Sequence, residues 1–157
     1  MDSIWTTLCP IPRRDSLRGD LETEVAVIGA GMAGILTADA LAHAGKNVVV
    51  LEANRIAGGQ TRNTTAKITS QHGLIYSRLI RTMGRERARQ YAQANETAIS
   101  EYRRLAEERG IACDLEERCA YLYGSQVQPL MEEAQAAAGL GLPASFVRDM
   151  PCPIPAA

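Results

Sequence analysis

Three glycines and one carboxylate carry the chemistry of this sequence. Gly29, Gly31 and Gly34 form a G-x-G-x-x-G motif, and Glu52 follows Gly34 after a further 18 positions. Glycines at this spacing allow a tight turn and a close approach to a pyrophosphate, which the free amides of a helix N-terminus bind. A carboxylate at the position of Glu52 accepts hydrogen bonds from ribose hydroxyls and repels a 2′-phosphate. The pattern therefore predicts a dinucleotide site that disfavours NADP.

The residues around the motif predict the elements that such a site requires. The apolar run Glu24–Ile28 is typical of a buried parallel strand, and the apolar positions of residues 32–44 have helical spacing. Gly45 is a helix stop, and Asn47–Glu52 predicts a second buried strand. This order indicates a Rossmann-like βαβ unit at about residues 24–52, with a right-handed crossover.

The rest of the chain has a different pattern. Residues 1–20 predict an irregular N-terminal arm, and residues 53–73 predict a long polar loop. The chain ends in a proline-rich stretch, residues 151–157. Helices are predicted at residues 74–83, 85–109 and 127–138, a β-hairpin at residues 111–123 and a weak strand at residues 144–147. The predicted fold class is α/β, a βαβ unit with a helical insertion and a small β element.

The loop after Glu52 favours FAD over NAD as the dinucleotide. A domain of the usual NAD-binding kind continues into another helix and a third apolar strand. This sequence instead continues into the polar, glycine-bearing stretch Gly58–Ala66. Such a loop suits the longer pyrophosphate-ribitol arm of a flavin, although an exposed linker has the same composition.

Composition excludes several other classes of function. The 157 residues are 46% hydrophobic, 22% charged and 4% aromatic, with a formal net charge of −1, so nucleic acid and anionic membranes are not expected partners. The N-terminus has no secretory signal pattern, and no apolar run is long enough to span a membrane. The isolated cysteines and histidines predict reduced thiols, a cytoplasmic protein and no metal site. These residues are Cys9, Cys113, Cys119, Cys152, His43 and His72.

Five stretches of the sequence together resemble one family. Glu24–Gly34 and Val50–Gly59 are similar to the glycine/D-amino-acid oxidase-like FAD-dependent oxidoreductases. The stretch Asn63–Gly73 resembles a bacterial subgroup of this family whose longer members often carry a C-terminal Rieske iron–sulfur domain. Tyr91–Asn95 and Ala120–Tyr123 extend the resemblance along nearly the whole chain.

The resemblance implies a set of cofactor-binding residues. The glycine turn would hold the FAD pyrophosphate, Glu52 the adenosine ribose, and the loop beyond it the pyrophosphate and the flavin side of the pocket. Asn63 stands where relatives with covalently attached flavin have a histidine, so non-covalent FAD is expected. The predicted residues are Gly29, Ala30, Gly31, Met32, Ala33, Gly34, Glu52, Ala53, Gly59, Gln60, Thr61 and Thr65.

The resemblance also implies an activity, which is hydride transfer from the CH–NH group of a small amine or amino-acid-like substrate to the flavin. No catalytic residue is assigned: His72 is interpreted as a hydrogen-bonded scaffold and Lys67 as a solvated side chain. Relatives are several hundred residues long, so residues 21–157 are predicted to be the N-terminal portion of a larger FAD-binding oxidoreductase domain. As an incomplete domain the chain is expected to bind FAD weakly and to be inactive.

Two other interpretations remain open. One is an NAD-dependent dehydrogenase domain, against which the missing second βα repeat argues. The other is a non-catalytic module that binds a nucleotide or a partner protein, which the absence of a substrate-binding part supports. The sequence does not determine the substrate, the electron acceptor or the oligomeric state.

Overall fold

The computed structural model describes residues 7, 9–11 and 13–149, which divide into two compact units at Lys67 and Ile68. Of the predicted N-terminal arm, residues 13–20 form neither helix nor strand and are all exposed. The predicted proline-rich end at residues 151–157 lies outside the described residues, as does Cys152.

In its described residues, the first unit contains a two-stranded parallel sheet, one α-helix and a short 3-10 helix (Gln60–Asn63). Strand β1 (Val25–Ile28) precedes helix α1 (Met32–His43), and strand β2 (Val48–Leu51) follows it. The strands pair in parallel, from Val25 opposite Val48 to Ile28 opposite Leu51. The predicted order of strand, helix and strand is present with bounds shifted by one residue, and the chain is α/β.

The turn between α1 and β2 is fixed by hydrogen bonds at both ends. Gly45 has a φ of +77°, and the Lys46 amide donates to the Leu41 carbonyl (3.0 Å), which closes α1 as a Schellman motif does. The Glu24 carboxylate then accepts hydrogen bonds from the Asn47 amide (2.7 Å) and from Lys46 Nζ (3.2 Å). These bonds connect the start of β1 to the start of β2.

The strands are less buried than the sequence predicts. All residues of β2 are half-buried, residues of β1 alternate between half-buried and exposed, and Ile28 is 78% exposed. No residue of α1 is buried. The prediction of two buried strands is wrong for this unit, because two strands and one helix supply too few neighbours to cover either face of the sheet.

The second unit is helical in its described part. Helix α2 (Tyr76–Met83) is followed by helix α3 (Arg85–Glu108) and helix α4 (Val127–Gly139). The helices pack around a small core, which consists of Tyr76, Ala88, Ala92, Ala137, Leu140 and Leu142. Arg85 Nη2 donates to the carbonyl of Gly139 and so connects the start of α3 to the end of α4.

A buried carboxylate joins α4 to the start of α2. Glu133 is 1% exposed, and its two oxygens accept hydrogen bonds from the amides of Tyr76 (2.7 Å) and Ser77 (2.9 Å). The Tyr76 hydroxyl donates to the carbonyl of Ser70, and the Tyr76 ring meets that of Tyr91 edge to face at 6.3 Å. Glu133 thereby pairs two of the amides that a helix leaves unsatisfied at its N-terminus.

The prediction of a small β element is wrong. Residues 111–123 and 144–147 contain no strand, and residues 111–121 are exposed throughout. Asp114 has a φ of +49°, which interrupts an extended conformation within the predicted hairpin. An isolated hairpin is at most marginally stable without a sheet or helix against it, so the β-forming side chains at 111–123 do not suffice.

Candidate functional site

Two glycines of the turn at residues 29–34 are required by the fold itself. Gly29 has a φ of +96°, and its amide donates to the Leu51 carbonyl (2.7 Å), which extends the pairing of the two strands by one residue. A Cβ on Gly34 would lie 1.9 Å from the Gly29 carbonyl oxygen. Any side chain at position 34 would therefore push α1 away from the end of β1. These two glycines explain the tight turn that the sequence predicts.

Two other glycines are not required by the chain's own packing. Gly31 has a φ of −79°, and a Cβ there would meet Thr61 Oγ1 at 3.5 Å, an ordinary contact. Gly59 has a φ of −87°, and a Cβ there would meet nothing within 4 Å. A Cβ would not clash with neighbouring atoms at either position in the chain alone. The absent Cβ atoms leave space through which a ligand can approach the backbone.

The N-terminus of α1, which is the positive end of the helix dipole, lies next to Gly31. The first turn of α1 contains no acidic residue, and Met32 and Ala33 are exposed. The Met32 amide donates to Thr61 Oγ1 (2.9 Å), so the hydroxyl of Thr61 lies at the helix end. Amides and dipole at a helix N-terminus favour an anion such as a phosphate.

Glu52 lies directly after β2 and is bound by backbone amides on both oxygens. Its Oε2 accepts from the Ala30 amide (2.8 Å) and its Oε1 accepts from the Asn54 amide (2.9 Å). The bonds from Ala30 and Asn54 hold the pKa of the Glu52 carboxyl below its ordinary value. The exposed carboxylate is therefore ionised near neutral pH, with acceptor capacity left for a ligand hydroxyl.

The loop at residues 52–61 contacts the glycine turn at a further point that the sequence did not predict. Ala57 has a φ of +55°, and its amide donates to the Ala30 carbonyl (2.8 Å). Gly58 makes this turn possible, since a Cβ there would lie 2.9 Å from the Arg55 carbonyl oxygen. The glycine pair at 58 and 59 is the signal in the sequence that marks a tight turn here, whereas alanine gives no sign of a positive φ.

The structure brings together some of the predicted residues and leaves others apart. Hydrogen bonds join Ala30 to Glu52 and Met32 to Thr61, and Gly29 and Gly31 lie beside Ala30 in the same turn. Among the described residues, no hydrogen bond joins Ala53, Gln60 or Thr65 to the glycine turn, and all three are exposed. Asn63 Nδ2 donates to the Gly59 carbonyl (3.3 Å) and so holds the loop in which the predicted residues lie.

Other candidate residues lie in polar or exposed surroundings. His72 Nε2 and Asn95 Oδ1 are 3.4 Å apart, and Lys67 is exposed. Cys113 and Cys119 are exposed free thiols within residues 111–123, where the predicted hairpin does not form. Across residues 7, 9–11 and 13–149, no three His, Cys, Asp or Glu side chains group as metal ligands would, and no helix is long and apolar enough to cross a membrane.

An open cleft of about 400 Å³ lies in the second unit, between Gly73–Leu74 and residues 122–130. Its lining contains leucine, proline and tyrosine side chains together with Ser125 and Gln126, and no charged residue. None of the predicted cofactor-binding residues lines this cleft, so the glycine turn and the loop at residues 52–61 remain the candidate site.

The sequence of this chain is similar to those of known proteins. The family model of the FAD dependent oxidoreductases (DAO) matches residues 24–150. The chain is 38% identical over 156 residues to a protein of Bacillus subtilis (strain 168) named as a Rieske 2Fe-2S iron-sulfur protein, YhfW. That match covers 98% of this chain and 31% of the relative, so the chain spans about a third of the length of this relative.

A second match is shorter. The chain is 47% identical over 47 residues to the 15-cis-phytoene desaturase, chloroplastic/chromoplastic, of an Oncidium hybrid cultivar, which covers 30% of this chain and 8% of that protein. No solved structure matches the chain. Because the family model spans most of the chain, with the glycine turn and Glu52 inside the match, the chain belongs to the family of FAD-dependent oxidoreductases.

Proposed function

We propose that residues 24–61 of this chain bind FAD non-covalently and that the protein is an oxidoreductase acting on the CH–NH group of an amine or amino-acid-like small molecule. The single observation that carries the binding proposal is Gly31. It lies at the N-terminus of α1, and nothing in the chain itself requires a glycine there. A glycine that the fold does not need, placed where an anion is favoured, fits the close approach of a pyrophosphate.

The remaining predicted residues have roles that follow from their positions in this proposal. The amides at the start of α1 would bind the pyrophosphate, and Thr61 would lie beside it. Glu52 would accept from the ribose of the adenosine while it keeps its two backbone bonds. Ala53, Gly59, Gln60 and Thr65 would line the same loop, and Asn63 offers no imidazole for covalent attachment. The family match at residues 24–150 supports FAD over NAD as the dinucleotide.

The chemistry in this proposal belongs to the cofactor, since bound FAD supplies a two-electron acceptor for the hydride of the substrate carbon. The residues of this chain would bind, orient and shield the cofactor, and we assign no catalytic base among the described residues. The 157-residue chain by itself is expected to bind FAD without oxidising amines. Oxygen consumption by the purified chain with amines or amino acids would contradict this expectation.

The name of the relative from Bacillus subtilis includes a 2Fe-2S centre, which is a property of that protein. The described residues of this chain offer no cluster of three metal-ligating side chains. We therefore propose no iron–sulfur site within them, and the proposed function rests on the flavin alone.

The binding proposal is tested by a pair of glycine substitutions. Gly31→Ala places a methyl group at ordinary contact distance in the free chain, so the fold should persist while the approach of a pyrophosphate is blocked. Gly124→Ala is the matched control, since a Cβ there meets nothing within 4 Å and the residue belongs to the second unit. We expect the affinity for FAD, measured by quenching of flavin fluorescence, to fall at least about tenfold in the first variant, equivalent to about 1.4 kcal/mol.

The control variant should bind FAD as the unaltered chain does. Circular dichroism of both variants establishes that the fold is retained. Equal affinities of Gly31→Ala and the unaltered chain for FAD would overturn the placement of the pyrophosphate at Gly31.

A further inference from the structure

The peptide of Ala30, in the middle of the glycine turn, is held on both sides by the loop at residues 52–61. Its amide donates to Glu52 Oε2 (2.8 Å), and its carbonyl accepts from the Ala57 amide (2.8 Å). Ala30 is 1% exposed. Every other described residue of the first unit is half-buried or exposed. The turn is thus fixed by contacts that do not involve a ligand.

Glu52 is the residue that makes this arrangement stable. One of its oxygens is bound to the Ala30 amide and the other to the Asn54 amide (2.9 Å), so its carboxylate joins the glycine turn to the first residues after β2. A hydrogen bond that involves a charged group contributes more than one between neutral groups. The two backbone bonds also fix the direction of the carboxylate itself.

We propose that Glu52 is a positioning residue for the pyrophosphate: its carboxylate holds the Ala30 peptide, and with it the following amide of Gly31, in the geometry that receives the anion. This task is separate from any bond between Glu52 and a ribose hydroxyl. The inference rests on the proposed function for its ligand, but the hydrogen bond from Ala30 to Glu52 exists without one.

Two effects of removing the charge on Glu52 have opposite signs, and this makes the proposal testable. A carboxylate near an anion site repels the anion, so its neutralisation alone would strengthen the binding of inorganic pyrophosphate. If Glu52 positions the turn, its replacement weakens the binding of pyrophosphate, although this probe has no ribose. A residue that contacts the ribose alone would not produce this weakening.

The first experiment measures amide hydrogen exchange by NMR in the ligand-free 157-residue chain and in Glu52→Gln. The glutamine side chain keeps one acceptor oxygen for one of the two amides and turns its NH₂ group toward the other. Hydrogen exchange of the Ala30 amide or of the Asn54 amide should therefore be at least about tenfold faster than in the unaltered chain. Glu24→Gln is the matched control, because Glu24 also accepts a backbone amide, that of Asn47, at the opposite end of β1. Unchanged exchange at both Ala30 and Asn54 in Glu52→Gln would overturn the proposal.

A second measurement uses the unaltered chain and so does not depend on the folding of a variant. The amide signals of Ala30 and Asn54 should shift together as pH is lowered, with one midpoint below the ordinary carboxyl range, since both amides report on the Glu52 carboxylate. Independent midpoints, or an Ala30 signal that does not move, would contradict the shared carboxylate.

The third measurement follows inorganic pyrophosphate by its effect on the amide signals of Gly31 and Met32. We expect binding to the unaltered chain and to Glu24→Gln, and at least about tenfold weaker binding to Glu52→Gln. Tighter binding to Glu52→Gln, or no binding to the unaltered chain, would overturn the positioning role. The chain could protect the Ala30 amide from exchange and bind pyrophosphate, yet fail to bind FAD. That result would leave this inference intact and contradict the proposed function.

Discussion

At the scale of single residues, the candidate site depends on a few hydrogen bonds between distant parts of the first unit. Thr61 is an example: its Oγ1 accepts from the Met32 amide (2.9 Å), the first residue of α1. Gly31 at the N-cap has no side chain with which to cap the helix. Thr61 therefore performs, from the loop beyond β2, the task that a serine or threonine at the N-cap usually performs.

Replacing Thr61 should reveal this capping role. Thr61→Val keeps the shape of the side chain and removes the acceptor, so we expect a loss of about 1 kcal/mol in the free energy of unfolding. Thr61→Ser keeps the hydroxyl and is expected to lose less than half of that. Urea denaturation followed by circular dichroism measures both values, and equal stability of Thr61→Val and the unaltered chain would contradict the role of Thr61 at the helix start.

At the scale of the elements, a buried side chain of α4 caps the N-terminus of α2. Glu133 pairs the amides of Tyr76 and Ser77, and α2 has no side chain of its own that caps its N-terminus. The negative charge lies at the positive end of the helix dipole, which adds to the stabilisation. Loss of this carboxylate leaves a donor unpaired in a buried position.

Glu133→Gln should therefore destabilise the chain by about 1–3 kcal/mol. The glutamine oxygen can accept from one of the two backbone amides, but its NH₂ group faces the other, which is also a donor. The neighbouring Glu132→Gln is the control, because Glu132 is exposed and accepts from the Gln128 side chain one turn earlier. Its effect should stay within about 0.5 kcal/mol. The comparison is made by urea denaturation, and similar stabilities of the two variants would show that the Glu133 cap contributes little.

Tyr76, the first residue of α2, should make the chain less stable at alkaline pH. Burial, and next the neighbouring Tyr91, raise the pKa of Tyr76 to about 12 from its ordinary 10.0. The Tyr76 hydroxyl keeps its proton in the folded chain at pH values where the unfolded chain releases it, near pH 10. The free energy of unfolding therefore falls as pH rises from about 10 toward 12. This contribution is fully present below pH 10.

Tyr76→Phe removes the titrating group, together with the hydrogen bond to the Ser70 carbonyl. The variant should be less stable than the unaltered chain at neutral pH, yet lose less stability between about pH 9 and about pH 11. Tyr123→Phe, whose side chain is 67% exposed, should follow the unaltered chain across this range. Parallel stability curves for Tyr76→Phe and the unaltered chain would refute the raised pKa as the cause.

The elements also show which features the sequence could predict. The strands at 25–28 and 48–51 and the helix at 32–43 agree with prediction within one residue, since apolar runs and glycine positions are local signals. The positive φ of Ala57 and the cap by Glu133, which lies 57 residues from Tyr76, depend on contacts that no local pattern records. The hairpin at 111–123 failed for the same reason, because strand propensity acts only where a partner strand exists.

At the scale of the whole molecule, the first unit exposes apolar surface on a sheet with unpaired edges. In the described residues β1 and β2 pair only with each other, and Ile28 at the end of β1 is 78% exposed. Such edges promote association between chains, and a charged side chain at an edge opposes it.

Ile28→Lys should therefore lower the concentration-dependent association of the 157-residue chain, measured by static light scattering. Ile111→Lys is the matched control, since Ile111 is also exposed, at 54%, but lies outside any strand. We expect the apparent mass to fall toward 17.0 kDa in the first variant and to change little in the second. An equal effect of both variants would attribute the association to general hydrophobicity and not to the sheet edge.

The central claim, that the glycine turn with the loop at residues 52–61 binds FAD, is tested most directly by gel filtration of the purified chain after incubation with FAD. We expect the visible flavin bands to elute with the folded chain, excess NAD not to displace them, and denaturation to release the flavin. A folded chain that elutes without flavin bands, or that binds NAD in place of FAD, would contradict it.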